Sequence, residues 1–312
     1  METITIQKAT SYDPTKTTSL RNTFARRMRV KFNELAMVVK KTVDFNDCFG
    51  LREIKTMQMT PAGRRAFSFP RSVEKIESFR EWLQKQIDAG ILQVGYARQI
   101  GSGVEAAWTN QYILDSYKRG VIRARYELIN AGYDVPPMEE TGGINASMSL
   151  PFHIDRVGLM FTRTYNDLKG ITSAMDAQIS RILAQGIADG DGPALLARKL
   201  VATINGNGIG DLAITDTIGR FIPAIQRAEM LARTEIIRAH HQAMIQEYRN
   251  WALEGVIVKG EWKTAGDDRV CEKCASLEGK IFTLDEIEGM IPYHPRCRCI
   301  ALPWIKELQK YN

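Results

Sequence analysis

The chain has 312 residues, 44% of them apolar and 25% charged, and a formal net charge of +6. Such a length sets a prior of about two domains, and this balance excludes collagenous, low-complexity and wholly disordered chains. No run approaches the roughly 18 apolar residues of a membrane span. The first residues carry no basic stretch leading into an apolar run, so no secretory leader is expected.

The charge is unevenly placed. Residues 1–70 hold 13 Lys/Arg against 6 Asp/Glu, and the rest of the chain holds 29 against 30. A basic arm on a near-neutral body points to an anionic partner, either nucleic acid or an acidic protein surface. A solvated helix face is the equal alternative.

Residues 1–12 read as a tail. Asp13-Pro14 supplies an N-cap and a proline at the first helical position. Leu20, Phe24, Met28, Phe32 (or Leu35) and Val39 recur at helical spacing and predict a helix to about Thr42. Arg21, Arg26, Arg27, Arg29, Lys40 and Lys41 lie around that stripe and are the candidate contacts to nucleic acid or an acidic partner. Residues 44–71 read as a linker with short extended pieces at Phe67-Ser-Phe69-Pro70. Helices are predicted over about 73–89, with Ser72 as cap and Gly90 as stop, and over about 104–131. Residues 132–151, with Pro136-Pro137 and Gly142-Gly143, read as a surface loop. A helix over about 154–188 is broken by Asp189-Gly-Asp-Gly-Pro193, and a short one follows at 194–204. After the Gly-rich run to Gly210, a long helix is expected over 223–253. Val256–Lys263 alternates and is β-branched, which reads as a strand. There is no internal repeat.

These elements imply a mainly α protein. They divide it into a basic N-terminal arm and linker (1–70), an elongated helical body (71–255) and a small C-terminal β-rich, zinc-ribbon-like unit (256–312).

Four of the five cysteines fall within 29 residues: Cys271-Glu-Lys-Cys274, then His294-Pro-Arg-Cys297-Arg-Cys299. A C-x-x-C pair puts two thiols on one turn, and an imidazole with two more thiols follows after a loop. Tetrahedral Zn²⁺ takes four N/S ligands, so four of the five would close one site. A closed site leaves no position for water and is structural; it holds a unit too small to fold on its own core. Arg269, Arg296 and Arg298 are placed to offset thiolate charge. Reduced buried cysteines without a metal are the alternative. Thiolate-rich ligation favours zinc over calcium or magnesium.

Other candidates carry less. His240 and His241 point about 100° apart on a helix and cannot face one metal, so they read as surface or packing residues. His153 stands alone. Arg233-Thr234-Glu235 is polar on an otherwise apolar helix; Arg233 and Glu235 face different sides, and each needs a partner from elsewhere in a structural polar network. No catalytic triad, phosphate loop or dinucleotide fingerprint is present, so no catalytic residue is assigned.

Three blocks together resemble the phage Mu F-like minor head protein family, also called the phage head morphogenesis family. They are the helix Arg227-Ala-Glu-Met-Leu-Ala-Arg-Thr-Glu235-Ile-Ile-Arg-Ala, the run Trp262-Lys-Thr-Ala-Gly-Asp-Asp-Arg-Val-Cys271-Glu-Lys-Cys274, and Ile291-Pro-Tyr-His294-Pro-Arg-Cys297-Arg-Cys299-Ile-Ala-Leu-Pro303. Looser similarity extends to Trp108–Gly120 and Leu183–Gly190, about two thirds of the chain in all, and leaves out residues 1–70. The resemblance implies a low-copy, non-enzymatic structural protein of a tailed-phage head, assembled in the host cytoplasm and carried in the virion. Its implied partners are the portal protein, the major capsid or scaffolding protein, and packaged double-stranded DNA; no membrane or small-molecule substrate is implied. Two other readings stand beside it. One is a nucleic-acid-binding zinc module that uses the basic arm. The other is a zinc-dependent hydrolase, which would need an open metal position with an acid or base beside it, and Asp267, Asp268 and Glu272 are the only nearby carboxylates.

Overall fold

The computed structural model describes residues 13–52, 74–96, 105–206, 222–253 and 258–304. Among them are nine α-helices: α1 Thr18–Lys40, α2 Glu74–Gly90, α3 Asn110–Asn130, α4 Gly143–Met148, α5 Pro151–Ala188, α6 Pro193–Asn205, α7 Ala224–Leu253, α8 Glu272–Ala275 and α9 Leu284–Glu288. Five short strands accompany them: β1 Val94–Tyr96, β2 Glu105–Ala107, β3 Lys259–Lys263, β4 Ile281–Phe282 and β5 Ile300–Trp304. The protein is therefore mainly helical with a small C-terminal sheet, as the periodicities predict. The expected tail at 1–12, the extended pieces at 67–70 and the glycines at 207–210 lie outside the described residues.

Three local readings change. α1 starts at Thr18, not at Pro14, yet Asp13 still caps it: its carboxylate accepts from the backbone N–H groups of Thr15, Thr17 and Thr18 at 3.2, 3.1 and 2.9 Å. One carboxylate thus ties down the turn before the helix and satisfies the first of the donors that a helix start leaves orphaned. The chain just before α3 is not helical; β2 pairs antiparallel with β1. The expected loop at 132–151 contains α4 and a 3₁₀ turn at Met138–Thr141, separated by Gly142 at φ 86°.

Packing divides the chain into two compact units that interleave in sequence: residues 1–23, 109–162 and 232–312, and residues 24–108 and 163–231. A boundary near 255 would fall inside the first unit.

In the first unit, α3 and the later part of α7 share one core with the C-terminal sheet. Leu128, Ile237, Met244, Tyr248, Trp262, Ile287 and Ile300 are members of it. The sheet runs β4-β3-β5, antiparallel throughout. β3 buries Gly260 and Trp262 on one face, as strand alternation requires. A Cβ at Gly260 would stand 3.1 Å from Ile287, so glycine lets α9 lie close on β3. Gly120 does the same for α3 on α7: a Cβ there would meet the His240 carbonyl oxygen and the Ala243 side chain.

In the second unit, Phe24, Met28, Phe32, Leu35 and Val39 form the buried stripe of α1, and Phe79, Leu83 and Ile87 that of α2. Phe24 meets Trp108 edge-on at 5.7 Å, and Phe49 lies 5.3 Å from Phe79. Two ion pairs tie distant segments, Arg29 to Glu229 and Arg80 to Asp176. No helix among the described residues is long and apolar enough to cross a membrane.

Candidate metal centre

Five potential ligands converge on the sheet of the first unit. Cys271 ends an extended segment and caps α8, its sulfur accepting from the Cys274 N–H at 3.4 Å. That turn puts both sulfurs of the C-x-x-C pair on one side. His294, Pro295, Arg296 and Cys297 make a turn closed by Cys297 N–H to His294 C=O at 3.1 Å. Proline presets the first central position, and Arg296 takes φ 63° at the second, the left-handed conformation that a type II turn demands there. Thr234 Oγ1 of α7 holds this turn by accepting from the Arg296 N–H at 3.2 Å.

The ligand atoms fall into two overlapping groups, each within 4.8 Å: Cys271, Cys274 and His294, and Cys274, Cys297 and Cys299. Cys274 belongs to both. His294 Nε2 lies 3.4 Å from Cys271 Sγ and 3.2 Å from Cys274 Sγ, while its Nδ1 donates to the Pro295 carbonyl at 2.8 Å. Donation from Nδ1 leaves Nε2 as the lone-pair nitrogen facing the sulfurs, the tautomer that a metal ligand needs. This donor set fits a soft cation, and the cluster could hold a metal ion.

The electrostatics agree. A hydrogen bond from Cys299 pulls the Cys297 thiol down to about 5. Cys299 is pushed far above the ordinary thiol range, first by that same bond and then by burial. Burial, with Cys297 beside it, pushes Cys274 up to about 12. Several buried thiolates cannot coexist without a cation, so the protons are shared out among them. The arginines do not chiefly serve this charge. Arg298 grips Asp267 with two hydrogen bonds, and Arg269 binds the same carboxylate. Cys299 lies only in the outer field of Arg298, and Arg296 acts through its backbone. Asp267, expected as a possible acid or base, is held well below the carboxylate range by Arg298. Cys48 stands apart; it is buried, and its thiol is pushed up to about 12 by that burial.

The polar residues of α7 each find a separate partner. Arg233 donates to Asn22 at 2.7 Å, Thr234 holds the cysteine turn, and Glu235 accepts from Arg238 at 3.0 Å. Of the basic candidates, Arg21 is only 6% exposed and bound to Asp13, so it is a structural residue. Arg29 is bound to Glu229. Arg26, Arg27, Lys40 and Lys41 are exposed.

The histidines at 240 and 241 are packing residues, not surface ones: burial depresses them to about 3 and about 4. His241 Nε2 donates to the Ile287 carbonyl at 2.9 Å, which fastens α7 to α9. Sequence reasoning missed a buried network. Arg125 pairs with Glu247 at 2.8 Å and also donates to Thr141; Glu247 accepts from Trp251 and faces His153, which contacts the Tyr117 hydroxyl. Its central pair, Arg125 and Glu247, lies 122 residues apart, so no local pattern could have exposed it.

Residues 177–302 match the family model described as phage Mu protein F like protein. The match covers somewhat under half of the chain. It takes in the Leu183–Gly190 segment and all three sequence blocks except Pro303, and it does not reach Trp108–Gly120. No curated protein and no solved structure matches the chain.

Proposed function

We propose that this chain is a minor head protein of a tailed bacteriophage, acting in head morphogenesis by contact and not by catalysis. The observation that carries the reading is a coincidence of extent. The family match over 177–302 includes the later part of α7 and the whole cysteine–histidine cluster, and Cys274, Cys297 and Cys299 pack in one core with that part of α7. The metal in this reading is zinc, held by Cys274 with three of Cys271, His294, Cys297 and Cys299. Four such ligands fill a tetrahedral shell and leave no position for a reacting water. Zinc then serves as a staple, closing the sheet against α7.

In this reading the helical body docks on the portal or inner capsid, close to packaged DNA, and the exposed cations of α1 face an anionic partner. The test is a null allele of the gene in its phage. The protein should be present at low copy in purified heads and co-purify with portal protein, and the null should give heads that package poorly or fail to infect. A chain absent from heads and unable to bind portal protein overturns the reading. Turnover of DNA or peptidoglycan that disappears with Cys297→Ser would return the hydrolase alternative.

A further inference from the structure

In the second unit, α1 turns an unusual face to solvent. Met37 is 64% exposed, and Phe45, just past the helix end, is 76% exposed; Val30 and Val38 are also exposed. Arg26 and Arg27 precede this apolar strip, and Lys40 and Lys41 lie between Val38 and Phe45. All four are exposed, and none has an ion-pair partner among the described residues. An apolar centre with a charged rim is the anatomy of a protein interface. Phosphate contacts to nucleic acid call for the cations alone and give bulky apolar side chains nothing to pack on.

The same unit carries the complement. On α2, Glu74, Glu77, Glu81 and Asp88 are exposed and spaced by three, four and seven residues, so they line one stripe of the helix. Half-buried Trp82 runs beside it. From Arg27 to Lys41 and from Glu74 to Asp88 the rise is about 21 Å in each case, at 1.5 Å per residue. Glu34 on α1 and Lys85 on α2 break the sign of their own stripes; with the stripe ends aligned they fall within about one turn of each other.

We propose that the α1 face of one copy of this chain docks on the α2 stripe of a second copy. Two α1 faces cannot meet, because their cations would oppose each other. An α1–α2 contact of this kind either repeats head-to-tail or closes as a two-fold pair in which each copy's α1 meets the other's α2. The inference names the anionic partner of α1 and is tested apart from any role in the phage head, since it needs only the purified full chain.

The experiment is sedimentation velocity over a range of protein and salt concentrations, on three samples. Wild type should self-associate at low salt and dissociate as salt screens the rim. Arg26→Glu/Arg27→Glu and, separately, Glu77→Lys/Glu81→Lys should each weaken association at least about tenfold, with unchanged circular dichroism. Mixed together, the two variants should associate again, because each then meets an opposite charge on the other; misfolding could not produce that rescue. A wild type that stays monomeric at low salt overturns the proposal, and so does a mixture that stays monomeric. Salt-dependent binding of duplex DNA that is lost with Arg26→Glu/Arg27→Glu while self-association persists would assign α1 to nucleic acid instead.

Discussion

Two regions rich in charge behave in opposite ways. From Arg233 to Arg298 the polar side chains turn to partners: Arg233 to Asn22, Thr234 to the cysteine turn, Arg298 to Asp267, Arg249 to Asp285 and Glu288. On α1 and α2 much of the charge turns outward, and Arg26, Arg27, Lys40 and Lys41 have no ion-pair partner among the described residues. Committed charge fixes one geometry; uncommitted charge is available to another molecule. The first region is thus read as the frame and the second as the contact, although composition alone would single out only the second.

The largest expected effect tests the proposed zinc site in the frame. Cys274 belongs to both ligand groupings, so Cys274→Ser should lower zinc from about one equivalent per chain to under a tenth, because a structural site's binding energy is folding energy. Elemental analysis of protein never exposed to chelator measures it, with Cys48→Ala unchanged as control. The same variant tests the boundary near 255. Since Trp262 and Ile300 share a core with Met244 and Tyr248, amide protection in α7 should fall together with that in β3. Clean proteolytic release of the C-terminus from an intact fragment of about 71–255 would favour the boundary that the sequence suggests.

The next largest effect falls on the buried pair. Arg125 and Glu247 are 5% and 1% exposed, so Arg125→Met strands a carboxylate in the interior at a cost of about 3–5 kcal/mol. Urea unfolding of the two single variants and of Arg125→Met/Glu247→Leu closes the cycle. The double variant should be more stable than Arg125→Met alone, since it leaves no unpaired charge. A loss below about 1 kcal/mol in Arg125→Met would mean that this network is not part of the frame.

How much of this the sequence made legible follows from range. The helices came from periodicity, and the ligands from spacings of two to five residues within each of two groups, both local. Asp13 was readable as a cap, though its reach across to Thr18 was not. Arg29 read as a free cation because Glu229, its partner, is 200 residues away. His240 and His241 read as a surface or packing pair because α7 is buried on nearly every side, which weakens the one-faced pattern that a surface helix shows. β1 and β2 were missed because three-residue strands carry too little alternation to register.

A smaller and graded effect comes from acid. His240 and His241 stay neutral in the folded protein down to about 3 and about 4, whereas in the unfolded chain they take up protons near 6.5. Between those values the unfolded state binds more protons, so stability falls as pH drops from about 6.5 to about 4. His241→Gln keeps a donor for the Ile287 carbonyl and removes one titrating group. Its stability should therefore depend less steeply on pH across that window. Equal slopes for variant and wild type would show that His241 does not carry the dependence.

The smallest effect on folding should come from the region that matters most for contact. Arg26, Arg27, Lys40 and Lys41 are exposed and have no ion-pair partner among the described residues, so reversing any one of them removes no pairing and opens no cavity. Surface changes of that kind cost within about 0.5 kcal/mol. Arg29→Glu is the internal control: it sets a second carboxylate against Glu229, now held at 2.5 Å by the guanidinium. It should cost more than reversal of either neighbour, about 1 kcal/mol or above, because it turns an attraction into a repulsion at a partly buried partner. Arg26→Glu/Arg27→Glu should leave the melting temperature within a few degrees of wild type and still impair assembly. If Arg29→Glu and Arg26→Glu/Arg27→Glu prove equally harmless to both stability and assembly, α1 is a solvated face, and the division into frame and contact fails at its outward half.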